Sequence, residues 1–152
     1  MIYTNILEFK IQTAHQNATT IAIDLGAKKT GIAISNPELS MALPLCIIEH
    51  KSLDQLLQEI ANLINLHKVE FIVLGFPEDQ YNIKPYKHFA DLLEQKFHKP
   101  IYLQDETYTT QMANQMLYAM NMKRKKHQKI DDHICAQLIL QRFIQSHQCG
   151  PL

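Results

Sequence analysis

Three extended runs rich in β-branched residues stand close together between Thr20 and His50, joined by connections too short to hold a helix. They are "TIAIDLG" (20–26), "GIAIS" (31–35) and "MALPLCIIEH" (41–50), separated by "AKKT" and by a break at Asn36-Pro37. Parallel strands need a crossover of about a dozen residues or more, so these runs are expected to pair as an antiparallel meander. Pro44 lacks a backbone N–H and marks the third run as an edge strand or the site of a bulge.

Beyond His50 the period changes. Ser52 with Gln55 has capping-box spacing, and Leu53, Leu56, Leu57, Ile60, Leu63 and Ile64 recur at helical spacing. "EFIVLGFP" is a continuous apolar run, as expected of a strand buried on both faces. An amphipathic helix over 86–97 follows, then a fifth strand in "PIYLQDE", a helix in "TTQMANQMLYAMN", a basic connection "MKRKKHQKI" and a last helix "DDHICAQLILQRFIQS". The order implies an α/β fold: a five-stranded mixed sheet, three antiparallel strands and then alternating helices and strands, flanked by helices.

At 152 residues the chain is the size of one domain. We assign residues 19–147 to it, with 1–18 as an N-terminal extension and 148–152 as a tail. In the extension "ILEFKI" reads as either a strand or a short helix, and "QTAHQNA" as a linker. Lys plus Arg equals Asp plus Glu at 15 each, which argues against coating nucleic acid by bulk charge but leaves room for a local basic patch. Cys46, Cys135 and Cys149 form no CxxC pair, which speaks against a zinc knuckle or disulfide framework and for idle thiols in a reducing compartment. No run approaches the roughly 20 apolar residues of a membrane helix. The N-terminus, with Glu8 and Lys10, does not read as a secretory signal. The expectation is a cytoplasmic protein with no membrane partner.

Against this background one residue is out of place. Asp24 follows Ile21, Ala22 and Ile23 at the end of the first strand. Glu106, beside Asp105, ends the fifth strand, and Asp132, beside Asp131, opens the last helix. Each has an ordinary explanation. Asp24 can cap backbone N–H groups of the following turn, Asp105-Glu106 can be a solvated strand end, and Asp131 or Asp132 can be a helix N-cap. Together they carry another. Acids at the ends of central elements can converge, and converging carboxylates repel unless a cation lies between them. Hard divalent ions take oxygen ligands, and a pair of them can clamp a phosphodiester undergoing hydrolysis.

These residues lie in four blocks that resemble the YqgF (RuvX) family of the RNase H-like superfamily. The blocks are "IAIDLGAKKTGIAIS" with Asp24, "FIVLGFP" with Gly75 and Pro77, "QDETYTT" with Glu106, and "DDHICAQLILQ", where Ala136 and Leu140 single out Asp132 rather than Asp131. The resemblance covers residues 19 to about 145. It implies an RNase H-like fold and a metal-dependent endonuclease in which Asp24, Glu106 and Asp132 hold Mg²⁺ or Mn²⁺. It further implies hydrolysis that leaves a 5′-phosphate and a 3′-hydroxyl. The implied substrate is the 5′ end of pre-16S rRNA in ribosome biogenesis, with ribosomal precursor particles as partners; the alternative is a branched DNA, the Holliday junction. The chain departs from the family at Ala27, where a hydroxyl residue is common, and at Thr107, where Arg is frequent. It also lacks the usual polar stretch after "GFP".

Basic residues suited to phosphate contacts are Lys28 and Lys29 in the first hairpin and Lys123, Arg124, Lys125, Lys126 and Lys129 before Asp132. The plain alternative for the second group is a solvated connecting loop. Tyr81, Tyr86 and Tyr108 suit either base stacking or a core edge. His133 points about 100° from Asp132 on a helix, which favours a surface role. The Met112, Met116 and Met120 stripe reads as core.

Two other readings compete. "DLGAKKTG" also resembles the phosphate hairpin of the actin and sugar-kinase superfamily, but that architecture needs a second such hairpin. A non-catalytic RNA-binding module would account for Ala27 and Thr107 but not for three acids. Symmetric junction cleavage requires a dimer, and the pattern offers no dimer surface, so a monomer or weak dimer is expected.

Overall fold

The structure is a computed structural model that describes residues 1–13, 16–76, 83–105 and 124–148, with the side chains of 105, 124–133 and 148 outside that description. Among the described residues ten elements run in the order β1 (Ile2–Tyr3), α1 (Ile6–Gln12), β2 (Thr20–Asp24), β3 (Lys29–Ser35), β4 (Ala42–Glu49), α2 (Leu53–His67), β5 (Phe71–Phe76), α3 (Lys84–Phe97), β6 (Ile101–Asp105) and α4 (Arg124–Gln148).

The strands form one sheet in the order β1-β6-β5-β2-β3-β4. The expected meander is present: β2 pairs antiparallel with β3, and β3 with β4. β4 is the edge strand, and its register slips where Ile32 faces Cys46 but Ala33 faces Pro44. The proline therefore sits at an irregularity on an edge, where its missing N–H breaks no central ladder. On the other side β2 pairs parallel with β5, and β5 with β6.

Among the described residues the sheet has six strands where five were expected. The additional one is β1, whose Ile2 and Tyr3 pair parallel with Ile101 and Tyr102. "ILEFKI" resolves as helix α1, capped by the Asn5 side chain, which accepts from Leu7 N at 2.8 Å.

Helices cover both faces. On one, Ile21, Ile23, Ile32, Ile72 and Leu74 pack against Leu56, Ile60, Phe89 and Leu93 of α2 and α3. On the other, Ala22, Ala33 and Val73 pack against Phe9 of α1 and Ala136, Ile139, Leu140 and Phe143 of α4. The alternation along β2 is thus divided between two cores, as a central strand requires. Ser52 caps α2 as its spacing indicated, its Oγ accepting from Gln55 N at 3.1 Å. Gln55 Oε1 reaches back to accept from Lys51 N at 2.9 Å.

The last helix begins earlier than expected. Arg124, Lys125, Lys126 and Lys129 belong to its opening turns rather than to a connection, and Asp132 lies inside the helix rather than at its N-cap. The helix expected in "TTQMANQMLYAMN", and with it Met112, Met116 and Met120, lies outside the described residues.

Candidate active site

The parallel strands set the frame of the site. Ile23 of β2 is level with Leu74 of β5, and Gly75, the next residue, is level with Gln104 of β6. Asp24 therefore ends β2 on the same edge of the sheet at which β5 and β6 end. β5 lies between β2 and β6, which puts the β2 and β6 ends roughly 10 Å apart at ordinary strand spacing.

Alternation gives Asp24 the face of Ala22, the face covered by α4. Ala22 and Ala33, paired across β2 and β3, are fully buried with Ala136 of α4. Position 132 is one helical turn before Ala136 on the same helix face. The helical turn carrying Asp132 thus belongs to the element that covers the strand carrying Asp24. Glu106 lies outside the described residues, as does Lys123.

The turn after Asp24 is held by a chain of contacts that sequence reasoning missed. Gly26 N–H donates to Thr30 Oγ1 at 3.4 Å, and Thr30 Oγ1 lies 2.9 Å from His50 Nε2. His50 N–H donates to Lys28 O at 2.9 Å. A Cβ at Gly26 would collide with the backbone oxygen of Lys29, so the close approach of this turn requires glycine. Both Thr30 and His50 are buried polar residues. A polar Thr among the apolar residues of β3 is a weak hint of such a role. Nothing local in the sequence couples it to a histidine just past the end of another strand.

Lys28 and Lys29 are exposed at the hairpin tip, and Lys29 Nζ lies 4.0 Å from Glu49 Oε1. At that distance, and both exposed, the pair contributes little and leaves the lysine available to an anion. Among the described residues no group of three His, Cys, Asp or Glu side chains is arranged to hold a metal ion. Tyr86 is half-buried at the start of α3, while Tyr81 and Tyr108 lie outside the described residues. Among the described residues, no helix is long and apolar enough to cross a membrane.

Comparison with known proteins adds the lineage. The profile of the RuvX family, described as Holliday junction resolvase, matches residues 18–146. The chain belongs to the RuvX family. A relative from Rickettsia africae (strain ESF-5), bearing the name "Putative pre-16S rRNA nuclease", is 39% identical over 96% of this chain and 97% of its own. One of the same name from Rickettsia bellii (strain OSU 85-389) is 38% identical over equal shares. Among solved structures, T. thermophilus RuvC in complex with a Holliday junction substrate matches with a TM-score of 0.54 at 12% identity, covering 87% of this chain and 96% of that one. Fowlpox virus resolvase with Holliday junction DNA matches with a TM-score of 0.56 at 11% identity, covering 84% and 97%. At such identities the likeness is one of fold, and it places this RuvX-family chain in the RNase H-like architecture of those proteins.

Proposed function

We propose that the chain is a metal-dependent endonuclease that trims the 5′ end of pre-16S rRNA, with Asp24, Glu106 and Asp132 as its catalytic acids. The observation that carries the reading is the placement of Asp24. It ends a central strand, at the end of the sheet where β5 and β6 also end, on the face covered by the helix that bears Asp132. A carboxylate there is held by a rigid strand rather than a loop, as a catalytic ligand should be. Full-length likeness to relatives named for pre-16S rRNA supports RNA as the substrate.

The three carboxylates are oxygen donors of the kind that Mg²⁺ or Mn²⁺ selects, and would hold one or two such ions. Such an ion, when bound, would supply a water of lowered pKa and positive charge against the phosphate. The chain's own contribution is to hold the carboxylates in register and to draw in the polyanion. Lys28 and Lys29 at the hairpin tip, Arg124, Lys125, Lys126 and Lys129 in the opening turns of the last helix, and Lys123, would contact phosphates without reading sequence. Cleavage would leave a 5′-phosphate and a 3′-hydroxyl. We further propose that it acts in the cytoplasm, on ribosomal precursor particles, as a monomer or weak dimer.

The description of the matching family and the two resolvase folds favour a second reading, cleavage of Holliday junctions. One experiment separates the two. A labelled pre-16S 5′-leader RNA and a four-way DNA junction are incubated in parallel with Mg²⁺, Mn²⁺ or EDTA, with native protein and with Asp24→Asn. RNA cleavage that needs both metal and Asp24 is the expected result. Paired, symmetric cuts in the junction would select the resolvase. Cleavage indifferent to Asp24→Asn would overturn the site.

A further inference from the structure

Two hollows adjoin the hairpin tip beside the start of α2. The first, about 520 Å³, lies between the β2–β3 turn and the starts of α2 and α3; Leu25, Leu53, Pro85 and Tyr86 line its apolar part, and Lys51 and His88 its polar part. The second, about 850 Å³, is lined by Lys28, Lys29 and Lys51 together with Glu49 and Gln55. Ala27, His50 and Lys51 line both, so the two form one groove with an apolar, aromatic end and a cationic end.

Its chemistry is selective. Lys28, Lys29, Lys51 and His88 are all exposed, and Glu49 is the acid among the described lining residues. The combined surface therefore favours an anion. An anion alone has no use for the apolar end, where the Tyr86 ring joins two leucines and a proline. A nucleotide satisfies both ends, with phosphates among the lysines and a base against the aromatic wall. The hollow is of the size that small-molecule sites occupy. A base within a duplex is stacked between its neighbours, so an unpaired base is the one that fits.

Leu25 lines the groove and Asp24 precedes it, and the two belong to opposite faces of β2 by alternation. A strand crossing the end of the sheet at Asp24 is thus directed toward the groove.

We propose that this groove binds single-stranded nucleic acid, seating one unpaired base against Tyr86 and its flanking phosphates on Lys28, Lys29 and Lys51. The placement beside the cut rests on the nuclease reading; the binding itself does not. Lys51, Tyr86 and His88 are then specificity residues that restrict the enzyme to unpaired strands next to the scissile bond.

The test is equilibrium binding without cleavage, by fluorescence anisotropy of a short labelled single strand with Asp24→Asn protein in EDTA. RNA and DNA strands are run in parallel arms, together with a duplex and a strand whose bases are replaced by abasic spacers. Lys51→Ala should reduce the slope of log affinity against log salt by about 0.7, the share of one phosphate contact on a single strand. Native Tyr86 should bind the normal strand at least about fivefold more tightly than the abasic one, and Tyr86→Phe should keep that ratio while Tyr86→Leu loses it. An unchanged salt slope in Lys51→Ala, or equal loss of normal and abasic strands in Tyr86→Leu, would overturn the proposal. So would a duplex that binds more tightly than the single strand. Lys51 is exposed, so its variant tests the groove without touching the core. Because no arm involves cleavage, these results stand or fall apart from the catalytic acids. The stronger of the RNA and DNA arms names the natural strand.

Discussion

Thr30 Oγ1 and His50 Nε2 meet 2.9 Å apart in the protein interior, joining strand β3 to the end of β4 across 20 residues of chain. A hydroxyl has one proton and two acceptor sites, enough to serve both the imidazole and the Gly26 N–H. The turn that follows Asp24 is therefore tied to the sheet through side chains. Thr30→Val keeps the shape but removes both partners. It should cost about 1–3 kcal/mol, the penalty for stranding buried polar groups, read by urea denaturation. Thr30→Ser should recover most of the loss. If the valine variant were as stable as the native protein, the contact would have no part in holding the turn.

Gly26→Ala probes the same turn through the backbone. The added methyl meets the Lys29 carbonyl oxygen, which cannot swing aside as a flexible side chain would. The turn has to open, at a cost of about 1–3 kcal/mol by analogy with overpacked sites. Its larger effect should be on cleavage, with a loss of at least about tenfold, because small displacements of catalytic groups are expensive. Thermal denaturation and cleavage rates measured side by side would show whether activity falls further than stability.

What the sequence revealed follows the range of the interactions involved. The meander, the capped α2 and the edge position of Pro44 were legible because short connections, cap residues and a missing N–H act locally. Asp24 was legible because a carboxylate after Ile21, Ala22 and Ile23 conflicts with its neighbours. The helical start of α4 was not legible. "KRKKHQK" has the look of a solvated connection, yet Arg124 to Lys129 continue the helix whose apolar residues come later. Residues 1–13 were least legible, because their partners are remote: Tyr3 beside β6, and Phe9 beneath α4. No local pattern encodes the pairing of Thr30 with His50.

Phe9 offers a direct check on that remote packing. Its ring lies 5.5 Å from Tyr3, 5.3 Å from Phe71, 5.8 Å from Tyr102 and 5.5 Å from Phe143, centroid to centroid, and the residue is fully buried. Phe9→Ala should destabilise the fold by about 3–5 kcal/mol, seen in chemical denaturation. Removing the first twelve residues should cost at least as much, since it takes β1 and α1 together. A truncated chain as stable as the native one would show that this segment is dispensable to the fold.

Cys46 is half-buried, and burial pushes its thiol above the ordinary value of 9.0, with the Glu59 carboxylate adding to the effect. The thiolate is the reactive form. Cys46 should therefore react with a disulfide reagent more slowly in the folded protein than in urea at mildly alkaline pH. The sign of the linkage is set as well. The folded state keeps the proton longer than the unfolded one, so this contribution to stability is complete below the ordinary value and is lost as pH rises through the raised one. Cys46→Ser should flatten that part of the stability curve.

Three alanines lie in the contact between α4 and the β2–β3 pair. Ala22, Ala33 and Ala136 are each fully buried in the same cluster, and Ala22 faces Ala33 across the β2–β3 pair. At these three positions no side chain extends beyond Cβ, so helix and strands can come close there, between the larger Val73, Ile139, Leu140 and Phe143 of the same cluster. Asp24 follows two residues after Ala22, and position 132 precedes Ala136 by one turn, so under the proposed site the same contact would set the spacing of the two positions. Ala33→Leu would wedge the surfaces apart at a position remote in sequence from either acid. We expect a loss of about 1–3 kcal/mol from overpacking, together with a fall in kcat that exceeds any change in KM, because Lys28 and Lys29, proposed to contact phosphates, lie at the hairpin tip away from position 33. Ala33→Ser, close to alanine in volume, should leave kcat near the native value despite its added hydroxyl. If leucine at position 33 lowered stability but left kcat unchanged, the separation of α4 from β2 would have no bearing on the reaction, and the pairing of Asp24 with Asp132 would fail with it.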